Sequence, residues 1–115
     1  MNELTKEAEL IIKENRRKIG PIRKETMTDG EILPYLSAYV DSVEQLKEKA
    51  AMLVKKSRGQ RKETAEEFVA LLEDISSYIT DITNEFSEEK NRTSLADNLE
   101  EVLEMLEDLT YLDEA

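Results

Sequence analysis

Residues 32–86, ILPYLSAYVDSVEQLKEKAAMLVKKSRGQRKETAEEFVALLEDISSYITDITNEF, decide the fold. In the first half, Ile32, Leu36, Tyr39, Val43, Leu46, Ala50 and Leu53 recur at spacings of four and three. Ala65, Phe68, Leu72, Ile75, Ile79, Ile82 and Phe86 repeat the pattern in the second half. That period places each set on one face of an α-helix. Between them, Lys55-Lys56-Ser57-Arg58-Gly59-Gln60-Arg61-Lys62 is a short polar turn. Two long helices are therefore expected to pack as an antiparallel hairpin. Gly59 suits a left-handed terminator for the first arm, and Lys55, Lys56 and Arg58 complement the negative end of its dipole.

Working outward, Leu4, Ala8, Ile11, Ile12, Ile19 and Ile22 mark one face of a first helix over about residues 2–19. Asn15 stands where a core residue is due. It is either a polar residue at the stripe's edge or a buried amide that fixes register against a neighbour. Gly20-Pro21 is expected to end or kink this helix, since Pro lacks an N–H and clashes with the preceding turn. Thr28 and Glu31 have the spacing of a capping box, so helix two should begin between Gly30 and Pro34. Glu89-Lys90-Asn91-Arg92-Thr93 breaks the pattern again, and Ser94 with Asp97 forms a variant capping box. A fourth helix then carries Leu95, Leu99, Val102, Leu106, Leu109 and Leu112. The expected fold is all-α: a single domain over residues 1–115, a small antiparallel up-down bundle of three to four helices around the helix-two/helix-three hairpin.

Composition agrees. Only three Gly and two Pro punctuate 115 residues, too few for the turns of an all-β fold. No Cys and no His occur, which removes disulfides, thiolate chemistry and the commonest neutral-pH acid/base and metal ligand. No apolar run approaches the ~20 residues that span a bilayer. MNELTKEAELIIKEN at the N-terminus is too acidic and too amphipathic for a secretory signal, so a cytoplasmic location is expected. A net charge of −11 argues against nucleic acid as the main partner.

The charge is segregated. Residues 1–62 carry 14 Lys/Arg against 10 Asp/Glu, whereas residues 63–115 carry 2 against 17. In an up-down-up-down bundle, one end would set Arg16, Arg17, Lys18, Arg23 and Lys24 beside Glu85, Glu88 and Glu89. The other would set the 55–62 turn beside Glu104, Glu107, Asp108, Asp113 and Glu114. The alternative is an intermolecular match, with helix four of one chain on the basic end of another. Along helix four, Asp97/Glu101, Glu100/Glu104 and Glu104/Asp108 are like-charge i,i+4 pairs, each costing a few tenths of a kcal/mol. That helix needs packing and a basic neighbour.

No cofactor or catalytic motif emerges. Glu63-x-x-Glu66 with Glu101-x-x-Glu104 offers i,i+3 acids that could share a Mg²⁺, the spacing used by all-α nucleotide pyrophosphohydrolases. A Mg²⁺-dependent enzyme of that kind is the alternative function. A solvated acidic flank explains the same residues more simply. Lys55, Lys56, Arg58, Arg61 and Lys62 form an anion-binding or charge-pairing loop. Tyr39, Tyr78, Leu99, Val102, Leu106 and Leu109 are the candidate partner-binding residues, because aromatic and leucine stripes serve helix-in-groove recognition. The expected function is a non-enzymatic interaction module (an adaptor, small chaperone or assembly factor) with another protein as partner, or a second copy in a homodimer.

Overall fold

Four helices follow one another in the computed structural model: α1 (Asn2–Arg23), α2 (Asp29–Lys56), α3 (Gln60–Glu89) and α4 (Arg92–Tyr111). The structure describes residues 2–112; Asp113 and Glu114, two of the acids expected beside the basic turn, lie outside that range. Each predicted stripe faces inward. Ile32, Leu36, Tyr39, Val43, Leu46 and Ala50 of α2 meet Phe68, Leu72, Ile75, Ile79, Ile82 and Phe86 of α3 in one core. Leu4, Ala8, Ile11, Ile12, Ile19 and Ile22 complete it from α1, and Leu95, Leu99, Val102, Leu103, Leu106 and Leu109 from α4. A fully buried aliphatic side chain of this kind contributes ~1.5–3 kcal/mol. The antiparallel bundle around the helix-two/helix-three hairpin is therefore the fold observed. α2 packs most extensively on α3, and α1 on α4, so the first and last helices close the ring.

α1 does not stop at Gly20-Pro21. It runs one turn further, because Ile22 is completely buried at its end and Met27 is buried just beyond. Pro21 sits in the last turn, where only one backbone hydrogen bond is forfeited. Glu25, with φ 61°, takes the left-handed position that ends the helix. The amide of Thr26 donates to the Pro21 carbonyl (3.0 Å) and that of Glu25 to the Ile22 carbonyl (3.3 Å). Those two bonds are a Schellman termination, which ordinarily uses glycine.

α2 opens one residue earlier than expected, on the predicted capping box. The Glu31 amide donates to Thr28 Oγ1 (3.2 Å), and the Thr28 amide donates to Glu31 Oε1 (3.1 Å). Gly59 is not the terminator of α2, which ends on an extended Ser57. It is the N-cap of α3, at φ 64° and ψ −140°, a conformation open only to glycine. α4 is capped by Asn91, whose side chain accepts from the Ser94 amide (3.1 Å), and not by Ser94 itself. Both residues are N-cap types; the one whose extended backbone could turn the chain out of α3 took the role.

Asn15 is buried, at 8% exposure. Its Nδ2 donates to the Ile11 carbonyl (2.7 Å), and its Oδ1 accepts from the Tyr35 hydroxyl (2.6 Å). The amide thus links α1 to α2 from within the apolar seam. By contrast, the Tyr39 hydroxyl is buried with no hydrogen-bond partner. Burial pushes the phenols of Tyr35 and Tyr39 well above their ordinary value of 10.

Three substitutions test these assignments by urea denaturation. Glu25→Gly removes a left-handed side-chain penalty and is expected to raise stability by ~0.5–1 kcal/mol. Gly59→Ala meets no atom but is forced off its backbone conformation, and is expected to cost ~1–3 kcal/mol. Tyr39→Phe deletes an unpaired buried hydroxyl and is expected to gain ~1–2 kcal/mol at neutral pH. The phenols that burial holds above 10 stabilise the folded chain below pH 10, and that stability falls as pH rises beyond it; Tyr39→Phe should show the smaller fall.

Candidate partner-binding site

Two surfaces follow from this architecture: the seat that holds α4 and the basic turn of the hairpin. The seat lies between α1 and α3. Leu99, Val102, Leu106 and Leu109, expected to bind a partner, are each at most 1% exposed, because α4 turns them into the core. Tyr39 is buried with them, and Tyr78 is half-buried at the α3/α4 seam. In the closed bundle the four α4 residues and Tyr78 therefore line the interface between α4 and its seat, whereas Tyr39 lies on α2 beside Tyr35.

The rim of the seat is polar and specific. The Arg23 guanidinium pairs with Asp97 (2.6 Å) and Glu100 (3.1 Å), and Arg16 pairs with Glu107. Arg92 at the start of α4 pairs with Asp29 (2.8 Å) and donates to the Ile22 carbonyl (3.4 Å). On the other flank the Tyr78 hydroxyl donates to Glu101 Oε2 (2.6 Å). That bond to a carboxylate pushes the phenol up to about 12. The charge match expected between α1 and Glu85, Glu88 and Glu89 of α3 is thus made with α4 instead. Antiparallel packing of α1 on α4 brings Asp97, Glu100 and Glu107 within reach of its arginines. Nothing in the sequence ranks Arg16 and Arg23 above the other cations of α1, although the excess of positive charge in residues 1–62 points to their half of the chain.

The basic turn is built by length. At 1.5 Å per residue, α2 and α3 (28 and 30 residues) span ~42–45 Å, whereas α1 and α4 (22 and 20 residues) span ~30–33 Å. The Arg92–Asp29 pair holds all four helices together at one end, so the excess of the hairpin emerges at the other. Lys55, Lys56, Arg58, Arg61 and Lys62 are all exposed there. None of the five forms an ion pair among the described residues, and Glu107 is engaged by Arg16. Leu53 and Val54 below them are only half-buried.

The four acids of the alternative enzyme do not converge. Glu101 lies level with Tyr78, which stands 12 and 15 residues along α3 from Glu66 and Glu63. At 1.5 Å per residue that is ~18–22 Å. Among the described residues, no group of three or more acids is placed to hold a metal ion. One open depression, about 470 Å³, lies at the α1/α2 junction between Glu14, Arg17, Lys18, Pro21, Thr26, Met27 and Glu31. Its charges offset one another, and Glu31 is already committed to the capping box; hydrogen bonds from the Thr28 amide and hydroxyl hold its carboxyl below the usual range. No helix among the described residues is long and apolar enough to cross a membrane. Comparison of the chain with protein families, curated proteins and solved structures finds no match.

The rim makes the seat sensitive to salt. Exposed pairs contribute ~0–1 kcal/mol each and are screened over ~8 Å at physiological ionic strength. Replacing Arg23, which holds two carboxylates, with Gln is expected to cost ~0.5–1.5 kcal/mol in dilute buffer and markedly less in molar salt, read by paired denaturation curves.

Proposed function

We propose that the chain is a non-enzymatic interaction module of the cytoplasm, an adaptor, small chaperone or assembly factor, that takes a partner helix into the apolar groove between α1 and α3. One observation carries this reading: α4 itself. An acidic amphipathic helix, with leucines at spacings of three and four and carboxylates facing Arg16 and Arg23, already occupies the groove. The groove therefore has the shape and charge to accept a helix of that description from elsewhere.

Several properties support α4 as the exchangeable element. It is the shortest of the four helices, at 20 residues. A two-residue connection joins it to α3. Its outward acids repel one another, so it has little stability apart from its seat. The polar contacts that hold it are mostly exposed, and exposed ion pairs are weak. When α4 lifts, the apolar side chains of α1 and α3 that it covers in the shared core become available to a partner. The cations at the hairpin turn, which form no ion pair among the described residues, would draw an acidic partner toward the molecule and raise its association rate.

Native-state hydrogen exchange tests the reading on the full chain. Amides of residues 92–111 are expected to exchange through an opening that leaves α2 and α3 protected. The double variant Arg16→Glu, Arg23→Glu should speed that exchange roughly 5–30-fold, as the loss of ~1–2 kcal/mol of rim contacts requires. A synthetic peptide of residues 92–112 added to the unaltered chain should compete for the groove and speed exchange of the chain's own α4 amides, and the double variant should be far less sensitive to it. Exchange of all four helices as one unit, unaffected by the variant, would overturn the proposal.

A further inference from the structure

We infer that α4 can be supplied by a second copy of this chain: the turn between α3 and α4 straightens, the two helices fuse, and two chains exchange α4 in an antiparallel two-fold dimer. This rests on the exchangeability of α4 argued above, but it commits to a particular donor and a particular hinge.

The hinge is the first argument. It consists of Lys90 and Asn91 alone, and no Gly or Pro occurs between Ser87 and Ser94. Every residue of this stretch can therefore take the helical conformation. Lys90 instead stands at φ 54°, a left-handed position that disfavours a side-chain-bearing residue. Straightening relieves that strain and lets the amides at the start of α4 find helical acceptors in the last turn of α3. It gives up the Asn91 cap on Ser94, whose function the continuous helix replaces. A short, strained hinge is the circumstance in which exchange of an element between copies competes with the closed form.

Register is the second argument. The Tyr78 hydroxyl meets Glu101, and the Ser94 hydroxyl meets Glu85 at 3.5 Å. Both pairs are centred on the same point of the chain, the Glu89–Lys90 peptide bond. If α3 and α4 became one rod, two such rods crossing antiparallel at that bond would remake both contacts twice, Tyr78 of each chain meeting Glu101 of the other. The seat contacts Arg16–Glu107, Arg23–Asp97 and Arg23–Glu100 carry over unchanged, because they join α4 to α1 and do not involve the hinge. The exchanged dimer thus keeps the interfaces of the monomer and closes by two-fold symmetry. The Arg92 link to Asp29 and to the Ile22 carbonyl belongs to the bend and favours the closed chain.

The chain contains no cysteine, which makes a covalent test clean. Two full-length variants, Arg16→Cys and Glu107→Cys, are mixed, unfolded in urea, refolded together at low and high protein concentration, and oxidised. Exchange is expected to yield a disulfide-linked heterodimer of the two variants that increases with refolding concentration. In light-scattering chromatography of chains without added cysteine, Lys90→Gly should lower the dimer fraction roughly fivefold or more, since glycine removes the left-handed penalty. Lys90→Ala with Asn91→Ala should raise it, since both favour a continuous helix. A chain that stays monomeric at every concentration, in all hinge variants, overturns the inference. So does a dimer that forms without the disulfide-linked heterodimer, which would join copies through another surface. Hydrogen exchange on the monomer separates the two proposals: independent opening of α4 without heterodimer removes only the exchange between copies, whereas α4 locked into the global unit without heterodimer removes both.

Discussion

The leucines of α4 must be covered, and covering them organises the molecule. Leu95, Leu99, Val102, Leu103, Leu106 and Leu109 sit on a helix whose other faces are acidic, so nothing in α4 itself can hide them. The α2/α3 hairpin can bury its own facing stripes but leaves α3 with a second apolar edge. α1 is the piece that fits between. It packs along α4 and returns to α2 through Asn15 and Tyr35, closing a ring in which each helix has two neighbours. The burial of six large aliphatic side chains outweighs the surface ion pairs in energy. The ion pairs add selectivity, since they match the acids of α4 to Arg16 and Arg23 in the observed register.

What was legible in the sequence follows from range. The stripes were legible because a period of three and four is a local property, and every helix except α1 began and ended within a few residues of expectation. Thr28 and Glu31 were legible as a capping box for the same reason. Gly20-Pro21 misled, since a local stop signal was outweighed by the burial of Ile22 and Met27, a tertiary reward invisible at that range. Ser94 misled because two capping residues lie three apart and only the direction of the chain leaving α3 selects Asn91. The partners of Arg16 and Arg23 depend on which helices are adjacent across the ring. Charge complementarity alone fits α3 as well as α4. The projection of Lys55–Lys62 depends on the difference between helix lengths, a comparison that becomes meaningful only once the packing is known.

The polar groups inside the core divide by consequence. Asn15 and Tyr35 satisfy each other, and they do so on the α1/α2 side, where packing is least extensive among neighbouring helices. A slip of α1 by one turn would leave an amide and a hydroxyl buried without partners, so the pair selects one register where apolar contact selects weakly. Ser76 and Glu44 do the same between α2 and α3: the serine hydroxyl donates to the carboxylate at 2.6 Å and, with Lys47, holds it below its ordinary range. Tyr39 has no such role. Its ring fills the core beside Tyr35, with centroids 5.9 Å apart, and its hydroxyl is the cost of using a tyrosine there.

The acids that make α4 a poor helix alone are the same ones that make its seat selective. An apolar helix of similar shape would fill the groove but leave Arg16 and Arg23 without counter-charges, and a basic one would be repelled by them. Self-repulsion along α4 also lowers the cost of removing it, because the strain between neighbouring carboxylates relaxes when the helix frays. Selectivity and exchangeability thus arise from one choice of residues. A more stable bundle could be made by interspersing lysines along α4, but such a helix would hold its own charges internally and no longer depend on the arginines of α1. The segregation of charge between the two halves of the chain is therefore best understood as what ties the last helix to the first, weakly enough that another helix of the same chemistry can take its place.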